Sequence, residues 1–342
     1  MLLCEIMKPF APKIPSVFII DSPLQAICAV AAIRQLSIER YRIIVVRTGY
    51  GPRYSTIALF LQMQMISFTT ISHNHFTYKW YQLLGLIKRI KNPYKRLFIG
   101  YFGSPFQHFV GSCVVADGAD VVYLDDGVAT VTLLKHRIIT DIVYFQDKRI
   151  IKIIGARRNL IFYRNILTMY SDISNKNYNI KNLQLDILKG KDMRYRHETG
   201  VFIVGTHSQS YCKQLQFDGE EFNERCDRLF ARLKSEYVGE KIIFIPHRLD
   251  NSDYAQRLCH KYGFEFRPVE ITIEVEMMQN ACTPKAILGF TSSALFNLKK
   301  MFPDTRVVNV VLQPVIITEP FSDILTISAY YEQNGIELLK IM

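Results

Sequence analysis

Long apolar runs, paired cysteines and metal-spaced histidines are all missing from this 342-residue chain, and each absence removes a class of function. No stretch reaches the roughly 18–20 apolar residues that span a bilayer. The most apolar region, Ile14–Leu36, is broken by Asp21, Ser22 and Pro23. Met1–Pro15 carries Glu5, Lys8 and three prolines where a secretory leader has an unbroken apolar segment. The expectation is a cytoplasmic protein, soluble or peripheral on the inner face of the cell membrane. Seven cysteines (Cys4, Cys28, Cys113, Cys212, Cys226, Cys259 and Cys282) stand apart, with no CxxC spacing. That pattern suits small reduced core residues and argues against a disulfide framework or a zinc site. The histidines show no HExxH and there is no Asp-x-Asp, so no metal and no bound cofactor is expected. Neither GxxxxGK[ST] nor a tight GxGxxG occurs, which removes the P-loop and dinucleotide fingerprints. Repeats and low-complexity tracts are absent as well.

What is present suits a globular α/β protein. The chain is 49% apolar and 12% aromatic, enough at this length for two cores. Its formal charge is +11, and the charge is concentrated: Lys135–Arg196 holds fourteen Lys/Arg against five acids. Such a stretch is either a solvated basic face or a surface for an anionic partner, such as an anionic membrane. Nucleic acid is not expected, because the basic residues are interleaved with apolar runs (Ile150–Ile154, Leu160–Tyr163) and no RNA-binding motif appears.

Short β-branched runs alternate with helical patterns, the sign of parallel sheets with crossover helices. Strands are expected at Ser16–Ile20, Arg42–Arg47, Phe68–Ser72, Arg96–Tyr101 and Val121–Leu124. Helices are expected at Pro23–Leu36, Ser55–Ile66, Tyr78–Lys91 and Phe106–Ala116, the first with Ser22 as N-cap and Pro23 in its first turn. The basic stretch breaks this rhythm, thins into asparagines (Asn175, Asn177, Asn179, Asn182), and reads as an insertion followed by an interdomain linker. A second α/β pattern then begins. Its strands are expected at Val201–Val204, Lys241–Ile245, Phe264–Phe266, Ala286–Gly289 and Arg306–Leu312, and its helices at Glu220–Tyr237, Ser252–Tyr262 and Ser293–Met301. The reading is therefore two Rossmann-like domains, 1–190 with a basic insertion at about 135–196, and 197–342. Ligands of such domains bind beyond the carboxyl ends of the strands, where a cleft is expected.

Four segments at strand ends carry residues suited to chemistry. Asp21-Ser22-Pro23-Leu24-Gln25 opens a helix, whose free N–H groups suit an anion or need only a cap. Asp125-Asp126-Gly127 follows an apolar strand. Adjacent side chains alternate there, so one carboxylate faces a substrate while the other braces the loop; an Asp-Gly turn alone is the plainer reading. Pro246-His247-Arg248 places a histidine where it can donate a proton or hold a phosphate. Gly289-Phe290-Thr291-Ser292-Ser293 joins a strand to a helix start, a cradle for phosphate or an ordinary Ser cap.

In this order the four segments resemble the bacterial two-Rossmann (GT-B) sialyltransferases, nearest to glycosyltransferase family 52, the lipooligosaccharide sialyltransferases, and the related polysialyltransferases. That family carries an acidic-acidic-Gly motif, a His-Pro motif and a Ser-Ser motif, and an S/T-Pro-Leu-Gln segment often follows its first strand. The resemblance spans residues 16 to about 300. It departs at His247, which has Pro246 before it instead of a proline after it. The resemblance implies a metal-independent inverting transfer from CMP-sialic acid to a glycan or glycolipid acceptor of lipooligosaccharide or capsule type. Asp125 would be the base and His247 the phosphate acid, with Ser292, Ser293 and Gly289 at the donor phosphate and Glu274 at its ribose. Asp126, Gly127 and Ser22 would support the loops. Two other readings stay open: transfer of another CMP-activated acid, such as Kdo or a bacterial nonulosonic acid, and a non-catalytic protein that binds membrane or nucleic acid.

Overall fold

The computed structural model describes residues 13–47, 51–72, 82, 84–86, 93–127, 130–131, 134, 161–173, 175–188, 196–247, 250, 253–313 and 322–342. The chain divides into two compact units, residues 1–188 and 189–342.

In the first unit the described elements are β1 (Ser16–Ile20), α1 (Pro23–Gln35), β2 (Tyr41–Arg47), α2 (Gly51–Met63), β3 (Phe68–Ser72), β4 (Tyr94–Ile99), α3 (Pro105–Val114), β5 (Val115–Tyr123), β6 (Ile161–Thr168) and β7 (Asn179–Asn182). The strands form one parallel sheet in the order β3-β2-β1-β4-β5-β6-β7. All five residues of β1 are buried, so the strand is covered on both faces and reads as a continuous apolar run without alternation. α1 packs small residues (Ala26, Ala29, Ala31, Ala32) out of solvent and starts as its sequence dictates. Ser22 is extended and its Oγ accepts from the Gln25 N–H at 3.2 Å, and Pro23 fills the first turn.

The reading of the basic stretch as insertion and linker is corrected for its second part. Ile161–Thr168 and Asn179–Asn182 are strands that extend the first sheet. The asparagines that disguise them pair with each other and with the backbone. Asn165 is 1% exposed, donates from Nδ2 to the Val121 carbonyl at 3.3 Å, and accepts at Oδ1 from Asn179 Nδ2 at 2.8 Å. A buried amide thus satisfied does not oppose strand formation. Residues 135–160 and 189–195 of that stretch, most of the helix expected at Tyr78–Lys91, and Arg248 lie outside the described residues.

The second unit contains β8 (Arg196–Val204), α4 (Ser208–Leu215), α5 (Gly219–Glu236), β9 (Lys241–Ile245), α6 (Tyr254–Tyr262), β10 (Glu265–Phe266), α7 (Ile273–Asn280), β11 (Cys282–Gly289), α8 (Ser293–Met301), β12 (Arg306–Leu312), α9 (Ser322–Gln333) and β13 (Glu337–Ile341). Its parallel sheet runs β10-β9-β8-β11-β12-β13. Phe230 of α5 locks onto it, its ring 5.2 Å from Phe264 and 5.7 Å from Phe244. Burying such a ring stabilises by about 1.5–3 kcal/mol. Counted within each unit, the second sheet places its strands 3-2-1-4-5-6, and the first has the same order with a seventh strand added at the edge. The order reverses between β1 and β4 in one and between β8 and β11 in the other, and ligands of doubly wound sheets bind beyond those strand ends.

No helix among the described residues is long and apolar enough to cross a membrane.

Candidate functional site

In the first unit the registers Ile19↔Ile99 and Ile99↔Tyr123 bring β1, β4 and β5 to their carboxyl ends side by side. Asp21, Gly100 and the Asp125-Asp126-Gly127 turn therefore leave the sheet as neighbours. Gly127 has φ +71°, which its missing Cβ permits at no steric cost, and its carbonyl accepts the Thr130 N–H at 3.0 Å.

The orientation expected for the two carboxylates is exchanged. Asp125 is 0% exposed, and both its oxygens are bonded: Oδ1 accepts from Thr168 Oγ1 at 2.5 Å and Oδ2 from the Met169 N–H at 2.7 Å. Burial pushes its carboxyl up to about 7, against the pull of these hydrogen bonds, with the neighbouring Asp126 raising it further. The physical reason is the end of β6, where Thr168 and the following Met169 lie on the side to which Asp125 turns. Asp126 is the partly exposed member. Its Oδ1 accepts from Gln25 Nε2 at 2.8 Å and its backbone N–H donates to Thr130 Oγ1 at 3.3 Å. Burial raises its carboxyl above the ordinary range and the Gln25 hydrogen bond lowers it; nearby Asp21 raises it and Arg53 lowers it. Arg53 lies 3.8 Å from Asp21.

In the second unit the registers Val204↔Ile245 and Val204↔Gly289 do the same for β8, β9 and β11. The segments starting at Gly205, Pro246 and Phe290 thus depart together. They are closely packed: a Cβ on Gly205 would stand 3.1 Å from the His247 N, and one on Gly289 only 3.2 Å from the Val204 carbonyl. Gly289 is itself buried, and the close approach of the two strands is the role its geometry supports. His247 is half-buried, its ring 6.0 Å from that of His207. His207 stands at the N-terminus of α4, its Nδ1 2.6 Å from Ser210 Oγ. Ser208 Oγ donates to Asp250 Oδ1 at 2.8 Å and the Asp250 N–H to the His247 carbonyl at 2.8 Å, tying the histidine turn to the start of α4.

Ser292 is the N-cap of α8: its Oγ accepts from the Ala294 N–H at 3.3 Å, which leaves its hydroxyl proton to donate outward. Ser292 and Ser293 are both half-buried. The turn that presents them is held in a costly shape. Thr291 has φ +44°, a left-handed conformation that costs a β-branched residue about 1–3 kcal/mol. Its N–H donates to Asn309 Oδ1 at 2.7 Å, Asn309 Nδ2 donates to Ser328 Oγ at 3.0 Å, and Tyr331 donates its hydroxyl to the Ser292 carbonyl at 3.0 Å. Among the described residues the buried Thr291 hydroxyl oxygen finds no hydrogen-bond partner. Glu274, in the first turn of α7, is 6% exposed, and one of its oxygens accepts from Asn297 Nδ2 of α8 at 2.8 Å.

Each expected residue thus sits at a strand end or helix start of its own unit. Asp125, Asp126, Gly127 and Ser22 gather in the first, and His247, Gly289, Ser292 and Ser293 in the second, with Glu274 joined to α8 through Asn297. Sequence reading missed Gln25's side-chain contact, Thr168, His207 and Asn309. Asn309 had a signal, as a lone amide within the apolar run Val307–Leu312. So did His207, in the Gly205-Thr206-His207-Ser208 segment that follows a strand. Among the described residues no group of three or more His, Cys, Asp or Glu is placed to hold a metal ion.

No protein-family model and no curated protein matches the chain by sequence. Solved structures do match it. An α/β-galactoside α-2,3-sialyltransferase from the luminous marine bacterium Photobacterium phosphoreum is 13% identical, with a TM-score of 0.55 over 95% of this chain and 98% of its own. A Listeria monocytogenes protein described as a UDP-N-acetylglucosamine 2-epimerase is 11% identical, with a TM-score of 0.52 over 92% and 82%. At such identities the likeness shows the fold alone: two Rossmann-like domains of GT-B type.

Proposed function

We propose that this chain is an inverting glycosyltransferase that moves a sialic-acid-type sugar from a CMP-activated donor to a glycan hydroxyl. The observation that carries the proposal is the division of chemistry between the two sheets: a partly exposed carboxylate beyond the first, and a histidine with two helix-start serines beyond the second. In this reaction the acceptor oxygen attacks the anomeric carbon while its proton passes to Asp126. The bond to the phosphate oxygen breaks and its electron pair leaves on CMP. His247 donates to that phosphate, and the Ser292 and Ser293 hydroxyls hydrogen-bond it. Glu274 holds the ribose. The family pattern puts the base on Asp125, whereas exposure and free bonding capacity favour Asp126, and the proposal follows exposure. His207 joins the donor side as a second imidazole beside His247. The acceptor is a lipid-linked or capsule-type glycan, and the basic 135–196 stretch is the part of the chain suited to an anionic membrane surface.

The direct test is a donor screen that follows release of CMP, UDP, GDP and ADP from activated sugars. CMP release from CMP-sialic acid alone is the expected result. Release of another nucleotide would overturn the proposal, and a preference for CMP-Kdo would move it to another acid on the same scaffold.

The serine pair supplies a second check. Hydrogen bonds to a charged group contribute about 1.5–3 kcal/mol each, so Ser292→Ala with Ser293→Ala should weaken CMP binding at least about tenfold in calorimetry. Ser292→Ala also removes the α8 cap, at about 1 kcal/mol of stability, whereas Ser293→Ala spares it. Unchanged CMP affinity in both would remove the phosphate assignment.

A further inference from the structure

We infer that Gln25 is the positioning residue of the acceptor-side carboxylate: a hydrogen-bond chain of fixed direction makes its amide donate to Asp126 Oδ1 and leaves Oδ2 to receive the substrate proton. This rests on the proposed function in one respect, that Asp126 is the base.

The chain of bonds begins at two peptide N–H groups. The Asp21 N–H, just past β1, donates to Gln25 Oε1 at 2.9 Å, and the Tyr101 N–H, just past β4, donates to Gln107 Oε1 at 3.0 Å. The oxygen and nitrogen of a glutamine amide are often interchangeable, but a peptide N–H can only donate, so both oxygens are assigned. Gln107 Nε2 then donates to Gln25 Oε1 at 3.2 Å, and Gln25 has only its NH₂ left for Asp126 Oδ1 at 2.8 Å. Both glutamines are 0% exposed, so neither amide turns to water instead.

The two glutamines come from the same local sequence on either side of the strand-order reversal: Ser22-Pro23-Leu24-Gln25 and Ser104-Pro105-Phe106-Gln107. In each the serine caps the helix, accepting the glutamine's own N–H at 3.2 Å and 3.3 Å respectively, and the proline fills the first turn. Each cap points its glutamine toward the gap between β1 and β4. Gly100 keeps that gap open, since a Cβ there would stand 2.1 Å from Gln25 Oε1. No side chain larger than hydrogen fits while Gln25 holds Asp126.

Donation to an ionised carboxylate favours its charged form, so loss of the amide should raise the proton affinity of Asp126. Among the described residues the charged groups facing Asp126 are Asp21 beyond β1, Arg53 of α2 and the adjacent Asp125, and none is replaced in the test. The test compares Gln25→Met, Gln25→Glu and Gly100→Ala with the parent. Two quantities are read: the pH dependence of kcat for CMP release, and the Asp126 carboxyl titration by ¹³C NMR, identified by its loss in Asp126→Asn. Gln25→Met is expected to move the acid limb and the titration up by about one pH unit, so kcat at pH values below the limb falls about tenfold, with donor KM within about twofold. Gly100→Ala should shift both the same way by displacing the amide, and Gln25→Glu should shift them further, since when ionised it loses the donor and also sets a second negative charge beside Asp126. Folded variants whose limb and titration coincide with the parent's would overturn the inference, whatever their kcat. If Gln25→Met fails to fold, the other two variants decide. If no protein releases CMP but the titration shifts, the hold of Gln25 on Asp126 stands and the transferase reading falls.

Discussion

Asp126→Asn is expected to lower kcat by roughly 10²–10⁴ while the affinity for the CMP donor stays within about twofold. A base that takes the acceptor proton acts only during transfer, so its loss is felt in turnover and not in donor binding. The substitution keeps shape and leaves Oδ1 as a carbonyl acceptor for Gln25, so the loop has no reason to move. Asp125→Asn is the matched control. Its amide has a carbonyl for the Met169 N–H and an NH₂ for Thr168 Oγ1, and most of the turnover should remain. Both variants are assayed by CMP release and by CMP calorimetry. Full activity in Asp126→Asn, or loss in Asp125→Asn without loss of fold, would return the base to Asp125.

The second large effect is on stability. A carboxyl held near 7 in the folded chain and near 3.9 when unfolded binds its proton more tightly in the native state. Stability from this group is therefore fully present below the unfolded value, falls as pH rises toward the folded value, and is flat above it. Between pH 5 and pH 8 the parent should lose about 2–3 kcal/mol, read by urea denaturation at fixed temperature. Asp126, also raised, adds to the loss with the same sign. Asp125→Asn cannot ionise and should remove most of the slope. Asp125→Ala should instead destabilise at every pH by about 2–4 kcal/mol, because it strands the buried Met169 N–H and Thr168 hydroxyl. A parent with no slope across this range would show that Asp125 ionises freely in the folded protein.

How far such effects were legible in the sequence differs from element to element. Ser16–Ile20, Phe68–Ser72, Lys241–Ile245, Ser293–Met301 and Arg306–Leu312 occur where their patterns place them, because strand and helix there follow from apolar spacing, caps and breaks. β6 and β7 were hidden, because Asn165 and Asn179 look like loop residues until their amides are seen to bond each other across the sheet. That omission carried through to the site. Without β6 there was no Thr168 or Met169 to claim Asp125, and side-chain alternation alone permits either carboxylate to face outward. The serines were legible as caps, but the strained Thr291 turn and its tether to Asn309, eighteen residues later, were not.

By itself the sequence determined two doubly wound α/β units, the helix starts at Ser22 and Ser292, and the strand ends at which reactive side chains collect. These are local matters, decided by periodicity and by which groups satisfy a helix's first N–H donors. Only the tertiary structure decided which aspartate is sealed and which is presented, that a Cβ at Gly100 would displace Gln25, and that two Ser-Pro-x-Gln segments join their amides so that Gln25 reaches Asp126. Those outcomes depend on residues as far apart as Gln25 and Asp126, or Asp125 and Thr168. No spacing along the chain encodes which buried donor reaches an acceptor first.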